Sequence, residues 1–257
     1  MIVIQGSAMT TNLLILGGTT EATALARAVA DAGLPGTVSF AGRVERPVRQ
    51  PLPQRVGGFG GPDGLATYLR THKITHLIDA THPFASQMSH NAVAAAKAAN
   101  IPVVALTRPA WQAQPGDAWT HVPDIAAAVE ALDRPACNVM LAVGRMHLAE
   151  FAPNPQHRYL LRLVDPPKAP LPLPQTEVIV DRGPFSEASD RALMEAHHID
   201  LIVSKNAGGT GAYAKIAAAR ALKLPVLMID RPPQPHRLEL ATPADVLDWV
   251  HETNLGV

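Results

Sequence analysis

The stretch Asn12-Leu13-Leu14-Ile15-Leu16-Gly17-Gly18-Thr19-Thr20-Glu21 decides the fold. An uncharged aliphatic run reads as a strand buried on both faces, and the glycine pair that ends it is a tight turn. Over residues 20–32 the period changes, with apolar Leu25 and Val29 recurring at helical spacing, so the turn leads from strand into helix. In an open parallel sheet this carboxyl edge is where ligands bind. Glycine lets the backbone come close to a pyrophosphate, and the unpaired N–H groups and dipole of a starting helix attract the anion. The hydroxyls of Thr19 and Thr20 add donors. The alternative is a purely structural turn with Thr20 capping the helix. The full Gly-x-Gly-x-x-Gly pattern is absent, since Glu21 and Ala22 stand where close-packing glycines are expected.

The same alternation continues outward. Strands are predicted at 37–41, 76–80 and 103–106, with helices at 64–71 and 84–99. A helix at 124–132 follows, and then the pattern restarts. Strands at 138–143, 159–164, 177–181, 201–204 and 226–229 go with helices at 186–197, 212–222 and 243–252, Ser186 and Thr242 serving as N-caps. Strands separated by helices imply right-handed crossovers and parallel sheets. The expectation is an α/β protein of two doubly wound parallel-sheet domains, residues 1–134 and 135–257, joined near Asp133-Arg134-Pro135. Proline-rich stretches at 47–53, 166–174 and 232–235 read as connections, because proline continues neither helices nor central strands.

Composition narrows the class. The 257 residues are 47% hydrophobic but only 4% aromatic, which describes an interior of aliphatic side chains. Lys and Arg number 22, balanced by 22 Asp and Glu, and no basic cluster marks a nucleic-acid or anionic-membrane partner. The single cysteine, Cys137, has no intrachain disulfide partner and lies in an apolar stretch, as a buried structural thiol does. No apolar run approaches the roughly 18 residues of a membrane span, and the N-terminus has no signal-peptide pattern. A soluble, cytoplasmic protein, monomeric or weakly self-associating, is expected, with residues 1–8 before Met9 read as a dispensable leader.

Three further turns carry candidate chemistry. An NAD-binding protein usually places an acid at the end of its second strand for the adenine ribose. Here that strand is followed by Gly42-Arg43, with no acid before Glu45, so Arg43 suits a 2′-phosphate and NADPH is preferred over NADH. Asp79-Ala80-Thr81-His82-Pro83-Phe84 ends another strand. Thr81 and His82 are placed beside the nicotinamide and Pro83 at the start of the next helix, although a helix cap with a histidine in passing explains His82 equally well. The run Gly57-Gly58-Phe59-Gly60-Gly61 is a flexible loop on the same edge, either a substrate approach or a connector. In the second half Ser204-Lys205-Asn206-Ala207-Gly208-Gly209-Thr210-Gly211 repeats the anion-cradle logic and adds a full charge at Lys205, without the order of a P-loop. Tyr213-Ala214-Lys215 lacks the Tyr-x-x-x-Lys spacing of short-chain dehydrogenases. Arg145, Lys205 and Arg231 are the expected carboxylate partners.

Taken in order from about Asn12 to Trp249, these segments resemble the precorrin-6A reductase family of cobalamin biosynthesis. The match is carried by Gly17-Gly18-Thr19-Thr20-Glu21, Gly42-Arg43, the glycine loop at 57–61 and Asp79-Ala80-Thr81-His82-Pro83-Phe84-Ala85. Arg108-Pro109-Ala110-Trp111, Gly144-Arg145, Lys205-Asn206-Ala207-Gly208-Gly209 and Arg231-Pro232 complete it. The resemblance implies two Rossmann-like domains with a cleft between them, and NADPH-dependent reduction of one carbon–carbon double bond of precorrin-6A to give precorrin-6B. Asn206-Ala207 stands where many relatives carry Glu and Ser.

On this reading Gly17, Gly18, Thr19, Thr20, Glu21, Gly42, Arg43, Thr81, His82 and Pro83 hold the cofactor. Arg145, Ser204, Lys205, Asn206, Gly208, Gly209, Thr210 and Arg231 face the acetate and propionate arms of the tetrapyrrole. Hydride transfer calls for no metal. The proton source is open among His82, His147, Lys205, Tyr213, solvent and the substrate's own nitrogens, with His82, Lys205 and Tyr213 taken as the catalytic set. Reduction of the cobalt-containing intermediate, a sugar-nucleotide transferase with twin Rossmann-like halves, and a non-catalytic NADP-binding sensor are the alternatives.

Overall fold

The computed structural model describes residues 10–42 and 49–255, which form two units: residues up to 108 together with those from 233 onward, and residues 109–232. The first unit opens with β1 (Leu13–Leu16), α1 (Thr20–Asp31), β2 (Gly36–Phe40), β3 (Gln54–Val56), α2 (Gly61–Thr71), β4 (His76–Asp79), α3 (Ser86–Ala99) and β5 (Val103–Leu106). The second holds β6 (Ala118–Val122), α4 (Ile125–Ala131), β7 (Asn138–Ala142), a 3-10 turn (Arg145–Phe151), β8 (Arg158–Leu163), β9 (Thr176–Val180), α5 (Glu187–Ala196), β10 (Leu201–Lys205), α6 (Ala214–Leu222) and β11 (Pro225–Ile229). The chain then returns to the first unit with β12 (Leu238–Leu240) and α7 (Pro243–Leu255).

Each unit is one six-stranded sheet, ordered β3-β2-β1-β4-β5-β12 in the first and β9-β8-β7-β10-β11-β6 in the second, with every pairing parallel. Both follow the doubly wound order in which growth reverses between the first and fourth strands. That reversal falls between β1 and β4 in one sheet and between β7 and β10 in the other, and it marks where a ligand belongs.

The division of the chain differs from the single break expected at 134–135. The chain leaves the first unit after Arg108 and comes back after Pro232. The sixth place in each sheet is taken by the strand that follows a crossing: β6 pairs with β11, placing Ala118 opposite Pro225, and β12 pairs with β5, placing Leu238 opposite Val104. The two units thus exchange their last strand and helix along the sequence. Residues 109–134 belong to the second sheet and 233–255 to the first, which a domain boundary drawn at mid-chain misses.

Period-two alternation builds the first core. Leu13, Ile15, Val38, Ile78 and Val104 pack against Leu25 and Val29 of α1 and Val246 and Val250 of α7. Leu14, Leu16 and Leu77 turn the other way, onto Leu65 and Leu69 of α2 and Ala92, Ala95 and Ala96 of α3. Each fully buried Leu contributes about 1.5–3 kcal/mol. In the second unit Met140, Ile202, Val226 and Met228 meet Met194 of α5 and Ile216, Ala218 and Ala219 of α6. Caps hold the helices as expected: Ser186 and Ser189 form a reciprocal capping box on α5, and the Thr242 hydroxyl accepts the Asp245 N–H at 3.2 Å on α7.

One helix starts later than its sequence suggests. Residues 82–85 form a turn closed by the Ala85 N–H on the His82 carbonyl at 2.7 Å, and α3 begins only at Ser86. Pro83 therefore lies in the turn and does not open the helix. The reason is local: the His82 side chain accepts the Phe84 N–H through Nδ1 at 3.2 Å, holding the backbone in a turn before the helical ladder begins.

Candidate functional site

The β1–α1 turn sits at the reversal point of the first sheet. Gly17 donates its N–H to the Ser39 carbonyl at 2.8 Å, and a Cβ on it would press within 3.0 Å of Val38 Cγ1, so glycine is what brings β1 against β2 here. Gly18 has φ +124°, outside the range of L side chains, and a Cβ built on it would meet nothing within 4 Å. Open space therefore lies above the turn. Thr19 is the N-cap: its hydroxyl accepts the Ala22 N–H at 3.1 Å and donates to the Ala80 carbonyl at 2.8 Å, tying the ends of β1 and β4 together. The remaining first-turn N–H groups of α1 have no partner within the helix. Gly17, Gly18, Thr19 and Thr20 thus form an open backbone turn of the kind that accepts an anion. Glu21, expected among the cofactor contacts, is ion-paired with Arg108 at 2.6 Å, which offsets its negative charge beside the turn. Sequence reading missed Arg108 as its partner, because 87 residues separate the two.

Gly42 follows β2 with φ +77°. Arg43, the expected 2′-phosphate partner, lies outside the described residues. Arg55 in β3 braces this edge: it donates to Ser39 Oγ at 2.9 Å and to the carbonyls of Gly57 and Gly58 at 2.8 and 3.0 Å, with its guanidinium 3.8 Å over the Phe59 ring. The glycine loop crosses α2 so closely that a Cβ on Gly64 would overlap the Phe59 carbonyl.

At the end of β4, Asp79 is 2% exposed and organises the Thr81–His82 segment. Its Oδ1 accepts from the Thr81 hydroxyl at 2.7 Å and the Thr81 N–H at 3.2 Å, and its Oδ2 from Ser89 at 2.6 Å. Arg237, just ahead of β12, stands 3.6 Å away. Thr81 spends its hydroxyl on Asp79, while the His82 ring is fixed by the Phe84 N–H on Nδ1, which leaves the neutral ring's proton on Nε2.

In the second unit the 205–211 loop is held from within. Asn206 is 5% exposed; its Oδ1 accepts the Trp111 N–H at 2.8 Å and its Nδ2 donates to the Trp111 carbonyl at 3.0 Å. The Trp111 indole donates to the Gly209 carbonyl at 2.7 Å. Arg231 donates to the carbonyls of Asn206 and Ala207 at 3.0 and 3.1 Å. Gly208 has φ +69°, and a Cβ on it would collide with the Pro109 carbonyl and the Arg231 guanidinium. The side chain of Asn206 is thus a clamp, and the Arg231 bonds to the Asn206 and Ala207 carbonyls brace the same loop. Asn206→Ala is expected to cost about 2 kcal/mol, by stranding the polar backbone of Trp111 as well as losing two bonds, read as a lower urea midpoint at constant slope.

Lys205 ends β10, in register with Ile229, and Ser204 beside it is buried, its hydroxyl directed to the Lys205 carbonyl at 3.2 Å. Thr210 is exposed, and its carbonyl accepts the Tyr213 N–H at 3.2 Å. The Tyr213 hydroxyl accepts from Arg220 at 2.6 Å, and Arg220 is in turn held by Asp117 at 2.9 Å. Arg145 donates to the carbonyls of Asp165 and Pro166 at 3.1 and 2.9 Å, and His147 pairs with Glu150 at 2.6 Å. A cavity of about 530 Å³ lined by Asn138, Arg158 and His198 opens at the amino-terminal ends of β7 and β8, the edge where parallel sheets do not bind ligands. No helix among the described residues is long and apolar enough to cross a membrane.

The doubly wound sheets with an open glycine turn at the reversal point define the class: a Rossmann-like α/β protein. A family model described as precorrin-6x reductase CbiJ/CobK matches residues 12–251, and the chain belongs to that family. The precorrin-6A reductase of Rhodobacter capsulatus is 54% identical over 240 residues, covering 93% of this chain and 96% of the relative. That of a Sinorhizobium species is 49% identical over 220 residues, covering 85% and 84%. The solved structure of CobK precorrin-6A reductase superposes with a TM-score of 0.91 at 53% identity, covering 94% of this chain and 96% of the other. The family and fold expected from the ordered motifs are borne out.

Proposed function

We propose that this chain reduces one carbon–carbon double bond of precorrin-6A with NADPH, giving precorrin-6B. The observation that carries this is the open, Thr19-anchored glycine turn at the reversal point of the first sheet, in a chain whose relatives across nearly its full length are named for that reduction. NADPH supplies the hydride, and the chain supplies position. Gly18 and Thr20 offer backbone N–H groups to the pyrophosphate, Gly17 packs the turn closely against β2, and Arg43 meets the 2′-phosphate. Asp79 fixes Thr81 and the turn carrying His82 on the same carboxyl edge. In the second unit Lys205, Arg145 and the Gly208-Gly209-Thr210 segment face the carboxylate arms of the substrate. Alignment of donor and acceptor accounts for most of the acceleration, since no covalent intermediate is required.

His82, Lys205 and Tyr213 are the proton-delivery candidates. The Tyr213 hydroxyl accepts from Arg220 and keeps its own proton to give, so that bond leaves all three candidates in place. Substituting any one alone lowers turnover without abolishing it.

Titration with NADPH and NADH tests the cofactor reading directly. The wild-type protein is expected to prefer NADPH, and Arg43→Ala to raise the NADPH Kd about tenfold, ~1.4 kcal/mol, while leaving NADH nearly unchanged. Equal loss for both dinucleotides would remove Arg43 from the 2′-phosphate. Absorbance-monitored consumption of precorrin-6A, with and without inserted cobalt, then decides the substrate form.

A further inference from the structure

A small cavity in the second unit, lined by Met140, Leu141 and Ala142 as well as by charged side chains, has no part in the function assigned so far. It measures about 180 Å³ and lies beside the carboxyl end of β7, walled by Gly144, Arg162, Phe185, Asp190, Ala212 and Lys215. Lys215, in the first turn of α6, is only 8% exposed; its ammonium lies 4.9 Å from the Trp111 ring centroid and donates to the Ala212 carbonyl at 2.7 Å, one hydrogen bond for a group with three donors. Arg162, near the end of β8, lies with its guanidinium 4.0 Å over the Phe185 ring and donates to Asp190 Oδ1 at 2.5 Å. Its buried Nε has no hydrogen-bond partner among the described residues. Two cations against one carboxylate leave a net charge of +1 around a cavity, together with unspent N–H donors.

Folded proteins do not keep such a combination for stability, because a buried charge and a buried unpaired donor both carry a desolvation cost. An anion entering the cavity satisfies both at once. Propionate or acetate is small enough, and carboxylate–guanidinium and carboxylate–ammonium bonds are among the strong ones.

We propose that this cavity binds a carboxylate, contributed by one acetate or propionate arm of the macrocyclic substrate, with Lys215 and Arg162 as the ligating groups. The identity of the arm's bearer rests on the proposed reduction of precorrin-6A, whereas the carboxylate site itself does not. Burial holds the Lys215 ammonium down to about 8, opposed by Asp190 on α5 and reinforced by Arg162 on β8, and a bound carboxylate shifts it back up. Binding therefore weakens as pH rises through that value.

Two arms test this on the full chain. In the first, thermal midpoints are measured at pH 7 in sodium propionate, sodium phosphate and sodium chloride at equal ionic strength. Propionate is expected to raise the wild-type midpoint by about 2 °C or more over chloride, and Lys215→Met to abolish the increment. In the second, steady-state reduction of precorrin-6A is compared for wild type, Lys215→Met and Arg162→Lys. Lys215→Met is expected to raise KM about tenfold with little change in kcat, and Arg162→Lys, which keeps the charge, to fall between. Stabilisation by phosphate but not propionate, or by neither, overturns the carboxylate site. A propionate increment with unchanged KM in Lys215→Met overturns the substrate arm as its occupant. If the wild-type protein does not reduce precorrin-6A, the proposed function fails while the propionate arm still decides the site.

Discussion

Asp79→Ala is expected to destabilise the first unit by about 3–5 kcal/mol and to lower its melting temperature by roughly 10 °C. The carboxylate is 2% exposed and has Thr81, Ser89 and Arg237 around it, and the Arg237 side chain is itself only 6% exposed. Removing the acid leaves a buried guanidinium whose other carboxylate, the half-exposed Glu239, is 3.8 Å away and whose Nε has no hydrogen-bond partner among the described residues. The loss is not confined to β4. Asp79 reaches Arg237, which precedes β12, so it ties the returning segment of the chain to the strand beside the β1–α1 glycine turn. Asp79→Asn keeps an acceptor for Thr81 and Ser89 without the charge, and is expected to lose about half as much. Combining Asp79→Ala with Arg237→Met should cost less than the sum of the two, because the second change removes the stranded charge. Denaturant unfolding of the four proteins decides it, and a loss below about 1 kcal/mol for Asp79→Ala would show that water replaces the pairing. Dinucleotide affinity is expected to fall with stability, since Thr81 and the His82 turn lose their anchor.

Asp79 also shows where sequence legibility ends. Its position at the end of a buried strand is plain from His76-Leu77-Ile78-Asp79 followed by a proline-containing turn, and the same logic located β1, β4, β7 and β10 to within about one residue. These are central strands, covered on both faces, so the sequence must write them as aliphatic runs. Strands β3, β6 and β12 are edge strands with half their side chains in solvent. Gln54-Arg55-Val56, Ala118-Trp119-Thr120-His121-Val122 and Leu238-Glu239-Leu240 carry no such run and were missed. Because β6 and β12 are also the exchanged strands, missing them misplaced the domain boundary. The glycine turns were legible because a positive φ and a close backbone approach can each be met only by glycine at Gly18 and Gly208. Partners far apart in the chain were not legible: Glu21 with Arg108, Asn206 with Trp111, and Arg162 with Asp190 depend on a fold that brings distant residues together. So Asn206 and Glu21, chosen as ligand contacts for their position on the binding edge, turn out to hold that edge in shape.

Lys215 escaped the sequence reading for a related reason, and its replacement carries the second large effect. Burial lowers its ammonium from the usual 10.5 to about 8, so the unfolded chain binds the proton more tightly than the folded one. For a base the sign is then fixed. The folded state bears the full penalty below pH 8, the penalty shrinks as pH rises from 8 to 10.5, and above that it is gone. Lys215→Met keeps most of the side chain's length, one atom short, and removes the charge, so at pH 7 the variant should be more stable than wild type by about 3 kcal/mol. The advantage should fade towards pH 10. Burial also raises the Cys137 thiol, and it pushes the Tyr159 phenol up to about 12; both act with the opposite sign at alkaline pH, but they are common to the two proteins and cancel in the difference. Paired urea titrations at pH 7 and pH 10 read that difference directly. A variant less stable than wild type at pH 7 would mean that Asp190 and Ala212 already compensate the ammonium, and the cavity would need no anion. A more stable variant with a weaker grip on substrate is what a binding residue buried at the expense of the fold produces, since the charge that costs stability when the cavity is empty is the one a carboxylate arm would meet.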